Sequence, residues 1–135
     1  MNAIFVIGLI AVVGAFWLYS AKTQHHPLQP NRHDDRVAYV YDGDTVKLEG
    51  SKTRIRLWGI DAPEKGEEGA EKAKDALTKM VSNKRISYQQ MDTDRYGRIV
   101  ARVFLKDGRE VNRIMIEKGL ADEYCRYSKG FYGTC

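Results

Sequence analysis

Carboxylates and arginines gather in three short patches of this chain: Asp42-Gly43-Asp44-Thr45, Arg56-Leu57-Trp58-Gly59-Ile60-Asp61-Ala62-Pro63-Glu64 and Asp94-Arg95-Tyr96-Gly97-Arg98. Hard divalent cations take oxygen ligands, and guanidinium groups match phosphate oxygens. Side by side, the two would offset charge developing on a phosphoryl group while a further carboxylate orients or deprotonates water. That is the equipment of phosphodiester cleavage.

Each patch also has a plain structural reading. Asp42-Gly43 is a favoured pair for a hairpin turn. Asp44 adds a second carboxylate at the mouth of that turn, a repulsion that a cation would relieve. Pro63 ends a strand and leaves Asp61 and Glu64 in a turn at the sheet edge. Within that strand Ile55, Leu57 and Gly59 share one face, while Arg54 and Arg56 lie on the other, where an arginine can simply be solvated. Gly97 can supply a positive φ for a turn that leads into Arg98. The case for chemistry rests on the combination of Asp44, Asp61, Glu64, Arg56 and Arg98 at strand ends.

The elements that must position these groups follow from periodicity. Residues 37–40 and 45–48 read as strands, and a turn at 50–52 leads into a third over 53–60. Ala70, Ala73, Leu77, Met80 and Val81 make a helical stripe within 66–81. Residues 86–91 and 98–105 read as strands, the second with Ile99, Ala101, Val103 and Leu105 on one face. A short helix over 110–118 places Val111, Ile114 and Met115 inward and ends at Gly119. Three strands, a helix, two strands and a helix predict an α+β chain built on a partly open five-stranded barrel of the OB type.

The chain has 135 residues, the length of one domain plus an appendage, and a net charge of +4. The first charged side chain is Lys22, so all the basic excess lies beyond residue 21, which suits an anionic partner such as nucleic acid or an acidic membrane surface. Residues 3–19 are an uninterrupted apolar run of 17 residues closed by Trp17 and Tyr19. This predicts a hydrophobic N-terminal helix acting as a membrane anchor, with an uncleaved or cleaved signal segment as the alternative. Residues 22–35, with all three histidines (His25, His26 and His33), Pro27 and Pro30, read as a linker rather than a metal site. The domain then runs over 36–135. Cys125 and Cys135 are compatible with one disulfide in an oxidising compartment, or with two unpaired thiols. Lys22, Arg32 and Arg36 favour a cytoplasmic domain by a positive-inside count, whereas the cysteines favour an extracytoplasmic one, in the periplasm or at the cell surface.

From about Arg36 to Tyr127 the chain resembles the staphylococcal nuclease (thermonuclease) family. The resemblance is carried by VYDGDTVKL, IRLWGIDAPE, TDRYGRIVARVF and VNRIMIEKGLA in that order. It implies the OB barrel and a calcium-dependent endonuclease that cuts DNA and RNA, single-stranded or flexible, to 3′-phosphate products. It further implies Asp44 and Asp61 as calcium ligands, with the Ala62 position supplying a backbone carbonyl. Glu64 would be the general base, and Arg56 and Arg98 would hold the phosphate.

Three departures accompany the resemblance. The loop 65–69 is short. Tyr127 matches one of the tyrosines that line the family's nucleotide pocket, but Cys125 stands at the other, leaving Tyr124 and Tyr96 as candidate base contacts. The sequence reaches Cys135 without the family's final helix. A monomeric enzyme is the primary reading. The rival is a non-catalytic OB module that binds nucleic acid or a protein at the membrane.

Overall fold

A computed structural model describes residues 31–135. The apolar run and the first part of the expected linker, with His25 and His26, lie outside these residues. Among the described residues no helix is long and apolar enough to cross a membrane.

Strands β1 (Arg32–Val40), β2 (Thr45–Leu48) and β3 (Arg54–Leu57) form an antiparallel meander. After the short β4 (Ile60–Asp61) comes helix α1 (Ala70–Val81), then β5 (Arg85–Thr93) and β6 (Ile99–Phe104). The barrel closes in the order β1-β2-β3-β6-β5, with β3 and β6 parallel and the remaining pairs antiparallel. It is closed rather than partly open, because the first half of β1 pairs with β5 from Arg32↔Gln89 to Arg36↔Arg85. Helix α2 (Val111–Glu117), β7 (Asp122–Glu123) and α3 (Cys125–Ser128) complete the chain.

The core follows the alternation of the strands. Val37, Val46, Ile55, Leu57, Ile86, Ala101 and Val103 point into the barrel, and Ala73, Leu77 and Val81 from α1 and Val111 and Met115 from α2 pack against it. One buried polar side chain ties these layers together. Asn112 Nδ2 donates to the carbonyls of Trp58 and Ala101, and its Oδ1 accepts from Val103 N–H, so α2 is fastened to β3 and β6. Both amide N–H groups and one of the two carbonyl lone pairs of that side chain are engaged, so each buried polar atom has a partner.

Three boundaries differ from the sequence expectation. Residues 32–35 belong to β1 rather than to a linker. Their charged sequence hides a strand whose side chains lie on the outside, where His33 stacks on Tyr88 and Arg32 sits 3.7 Å over the Phe104 ring. The strand expected over 53–60 is broken at Trp58-Gly59. There Gly59 adopts φ +71°, and a Cβ would approach Tyr132 and Ser128 to 3.1 and 3.2 Å. The break turns Ile60 and Asp61 out of the barrel to pair with β7. Helix α1 begins at Ala70 rather than near residue 66, because Gly66 and Gly69 both hold left-handed backbone.

The C-terminal segment folds back over this break. Cys125 and Cys135 are joined by a disulfide. Within the segment it closes, Ser128 Oγ, Tyr132 N–H and both the N–H and Oγ1 of Thr134 donate to the buried Glu123 carboxylate. Burial alone would raise the Glu123 carboxyl, but these donors outweigh it and hold the group down at about 2. Tyr132 donates its hydroxyl to Glu110 and lies against Trp58 and Phe131.

Candidate active site

The β1–β2 turn brings Asp44 to the barrel mouth. Asp42 Oδ1 accepts the Asp44 N–H at 3.0 Å, the side-chain-to-backbone bond that shapes an Asx turn. Gly43 is needed for its size. A Cβ there would stand 2.7 Å from the Cβ atoms of both Ala62 and Ala73, so the turn is wedged between the β4 exit and α1. Asp44 is 6% exposed, and its Oδ2 accepts the Ala62 N–H at 2.9 Å while Oδ1 accepts from Thr45 Oγ1.

Arg56 enters from β3. Its Nη1 donates to the carbonyls of Leu57 and Ile60, and its Nη2 lies 3.2 Å from both Asp44 Oδ2 and Asp61 Oδ1. A single guanidinium nitrogen therefore bridges the two carboxylates, which stand no further apart than twice that distance. Burial pushes the Asp44 carboxyl up to about 6, even though the Arg56 charge and the Ala62 N–H both pull it down. An oxygen-rich pair of acids, one of them buried and incompletely compensated, fits a hard cation. Among the described residues no three His, Cys, Asp or Glu side chains gather in metal-binding geometry. A cation here would complete its shell with carbonyl oxygens and water.

Arg98 arrives from the next strand. The parallel register Ile55↔Ile99 and Arg56↔Val100 sets Arg98, the residue just before β6, two positions before the partner of Arg56. Arg98 Nε donates to Asp94 Oδ2 at 2.6 Å, and Asp94 Oδ1 accepts the N–H groups of Tyr96 and Arg98. Burial raises the Asp94 carboxyl, but these bonds and the Arg98 charge together hold it below the usual range. The Arg98 Nη groups make no hydrogen bond among the described residues.

Glu64 is exposed in the turn after β4. Its backbone is pinned by Glu67, whose Oε2 accepts the Glu64 N–H and whose N–H donates to the Glu64 carbonyl, while the Glu64 side chain projects into solvent. Asp61, Ala62, Arg56 and Asp44 are thus joined by direct contacts, whereas Glu64, three residues after Asp61, shares none of them among the described residues. Tyr124 and Tyr127 pack edge to face at 4.7 Å and remain partly exposed. Tyr96 is 69% exposed beside Arg95 and Arg98. Among the described residues none of these tyrosines hydrogen-bonds to Asp44, Asp61 or Glu64, and Tyr96 instead donates its N–H to Asp94. Three further acids here had no signal in the sequence: Asp122 faces Asp61 across the β4–β7 pair, and Glu67 and Glu68 share a recess of about 240 Å³ with both.

The family profile described as staphylococcal nuclease homologue matches residues 54–134, which hold Arg56, Asp61, Glu64 and Arg98. The chain belongs to the staphylococcal nuclease family. An Escherichia coli protein named as an uncharacterized endonuclease is 39% identical over 95 residues, covering 69% of this chain and 62% of that protein. The Escherichia coli protein ParB is 37% identical over 98 residues, covering 65% of this chain and 55% of the relative. A rice protein, named as probable staphylococcal-like nuclease CAN1, is 45% identical over 78 residues, 58% of this chain and 23% of its own length. The staphylococcal nuclease match spans less than two thirds of each of these relatives. Within the staphylococcal nuclease fold of this chain, the closed barrel supplies the rigid rim on which the acids and arginines stand.

Proposed function

We propose that this chain is a calcium-dependent endonuclease that hydrolyses phosphodiester bonds of DNA and RNA, leaving 3′-phosphate ends. The observation that supports this reading is the bridge from Arg56 to Asp44 and Asp61, in which a guanidinium of the kind that suits phosphate lies against two carboxylates of the kind that suit a hard cation. Asp44, Asp61 and the Ala62 carbonyl would hold the calcium, which supplies Lewis-acid stabilisation of charge on the phosphoryl group. Arg56 Nη2, which bridges the two carboxylates, would donate to one phosphate oxygen once Asp44 and Asp61 hold a cation, and the Arg98 Nη groups would donate to a second. Glu64, an exposed carboxylate, would accept a proton from the attacking water as the water oxygen bonds to phosphorus. The P–O bond to the 5′ oxygen would break, and that oxygen would take a proton from solvent to leave as a 5′-hydroxyl. Tyr96, Tyr124 and Tyr127 would offer ring faces to flanking bases, favouring single-stranded or flexible substrates.

Residues 1–21 would anchor the enzyme as a monomer in a membrane, with the nuclease domain extracytoplasmic, where the Cys125–Cys135 bridge is maintained. The test is cleavage of labelled single-stranded DNA and RNA by the full chain with calcium or with a chelator, followed by end analysis. Calcium-dependent products that accept label at the 5′ end but resist 3′ extension until dephosphorylated are expected. Tight binding by the folded chain without cleavage would instead favour the binding-module reading.

A further inference from the structure

Away from the candidate active-site residues, the barrel carries a strongly cationic feature. A cleft of about 1380 Å³ opens there between the start of β1, the start of β5 and the turn after β6. Its lining includes six basic side chains, Arg32, Arg36, Lys84, Arg85, Lys106 and Arg109, against two acidic ones, Asp34 and Asp107. The difference of four positive charges equals the net charge of the whole chain. Arg36 is paired with Glu49 and Arg109 with Asp107. Arg32, Lys84, Arg85 and Lys106 have no carboxylate within ion-pair distance among the described residues, and Arg32 Nε is buried without a hydrogen-bond partner. Ile86, Leu105 and Met80 supply apolar lining.

Position decides what such a cleft would meet. Strand β6 runs from Ile99, beside Arg98, to Phe104, just before the cleft, about 17 Å at ~3.3 Å per step, and about 13 Å from Val100, the partner of Arg56. The cleft lining contains none of the candidate site residues, so the two features are separate. It begins at Arg32, and only residues 20–31 separate that position from the apolar run 3–19. Twelve residues reach at most about 40 Å fully extended. A domain tethered so closely meets the bilayer surface at high effective concentration, so modest electrostatic attraction suffices to dock it.

We propose that the basic cleft docks on anionic phospholipid headgroups, turning the β1-start end of the barrel to the membrane and the candidate active site away from it. The choice of lipid rests on the membrane attachment proposed above. Arg32, Lys84, Arg85 and Lys106 contact headgroup phosphates, and the apolar lining faces the acyl boundary. This arrangement presents the nuclease rim to substrate in the surrounding medium and leaves no room for a nucleic-acid strand in the cleft.

Hydrogen exchange of the full chain tests this on vesicles of phosphatidylcholine and of phosphatidylcholine with phosphatidylglycerol. Exchange at residues 84–87 and 105–109 is expected to slow on the anionic vesicles only, and to recover in high salt. Arg85→Gln with Lys106→Gln should lower the ratio of docked to undocked domain roughly 25-fold, at about five-fold per cation. Flotation on neutral vesicles reports the anchor separately. Protection on anionic vesicles by a chain that fails to float on neutral ones supports the cleft and removes the anchor. Identical exchange on both vesicles would overturn the proposal, as would protection by a single-stranded oligonucleotide but not by anionic lipid.

Discussion

Arg56 Nη2 stands 3.2 Å from Asp44 Oδ2, with only 14% and 8% of the two side chains exposed. The contact joins β3 to the β1–β2 turn and also holds the charge balance of the candidate site. Because burial outweighs the guanidinium in setting the Asp44 pKa, the acid is costly to keep ionised without a cation. Stability and activity should therefore diverge at this residue.

The first consequence is a pH dependence of metal-free stability. The folded-state value of about 6 lies above the ordinary 3.8, so the folded chain binds the extra proton between them. Stability from this group is fully present below 3.8 and declines as pH rises through 6. In chelator, the stability of wild type relative to Asp44→Asn should fall by about 3 kcal/mol across that window, measured by urea unfolding. The variant should be at least as stable at neutral pH and inactive.

The two arginines should fail differently. Arg56→Ala leaves a buried carboxylate unpaired, a loss of about 3–5 kcal/mol at neutral pH that shrinks once Asp44 is protonated. Arg98 is paired within its own turn at a more exposed position, so Arg98→Ala should cost about 1 kcal/mol or less. Both should lose cleavage. Parallel unfolding and activity assays separate the two cases.

Gly43→Ala tests whether the turn is clamped or merely bent. The added methyl would enter contacts of 2.7 Å with Ala62 and Ala73, forcing α1 or the β4 exit to move. A loss of about 1–3 kcal/mol is expected from such overpacking, together with weaker calcium affinity as Asp44 shifts against Ala62. Calorimetry of unfolding and of calcium binding would measure both.

Reduction of the Cys125–Cys135 bridge should loosen the segment that surrounds Glu123. For a ten-residue separation, loop-closure entropy gives about 2–3 kcal/mol. Urea unfolding with and without a reductant should show that difference. Cys125→Ser with Cys135→Ser should reproduce the reduced curve and no longer respond to reductant.

Much of the barrel is readable from alternation, because Ile55, Leu57, Ala101 and Val103 each occupy the inward position that a period of two assigns. The pairing that closes it is not. Arg-His-Asp-Asp at 32–35 carries no apolar stripe, since closure depends on backbone bonds to β5 and on side chains lying over Tyr88 and Phe104. At the candidate site, the residue types of Asp44, Asp61, Glu64, Arg56 and Arg98 are visible in the three patches. The bridging role of Arg56 is not, because it depends on how β4 turns out of the barrel at Gly59. Gly43 looks like ordinary hairpin chemistry until the distance to Ala73, thirty residues later, is known. Glu123 has no local signature, as its donors come from Ser128, Tyr132 and Thr134.

The most direct test of the hydrolytic account is single-turnover cleavage of a labelled oligonucleotide by the full chain and by Glu64→Gln, in calcium, with binding measured alongside. Loss of a general base should slow cleavage by about 10²–10⁴-fold while leaving affinity and the unfolding curve nearly unchanged. Calcium-dependent cleavage by Glu64→Gln at the wild-type rate would contradict the role given to Glu64, and no calcium-dependent cleavage by the folded wild-type chain would contradict the account as a whole.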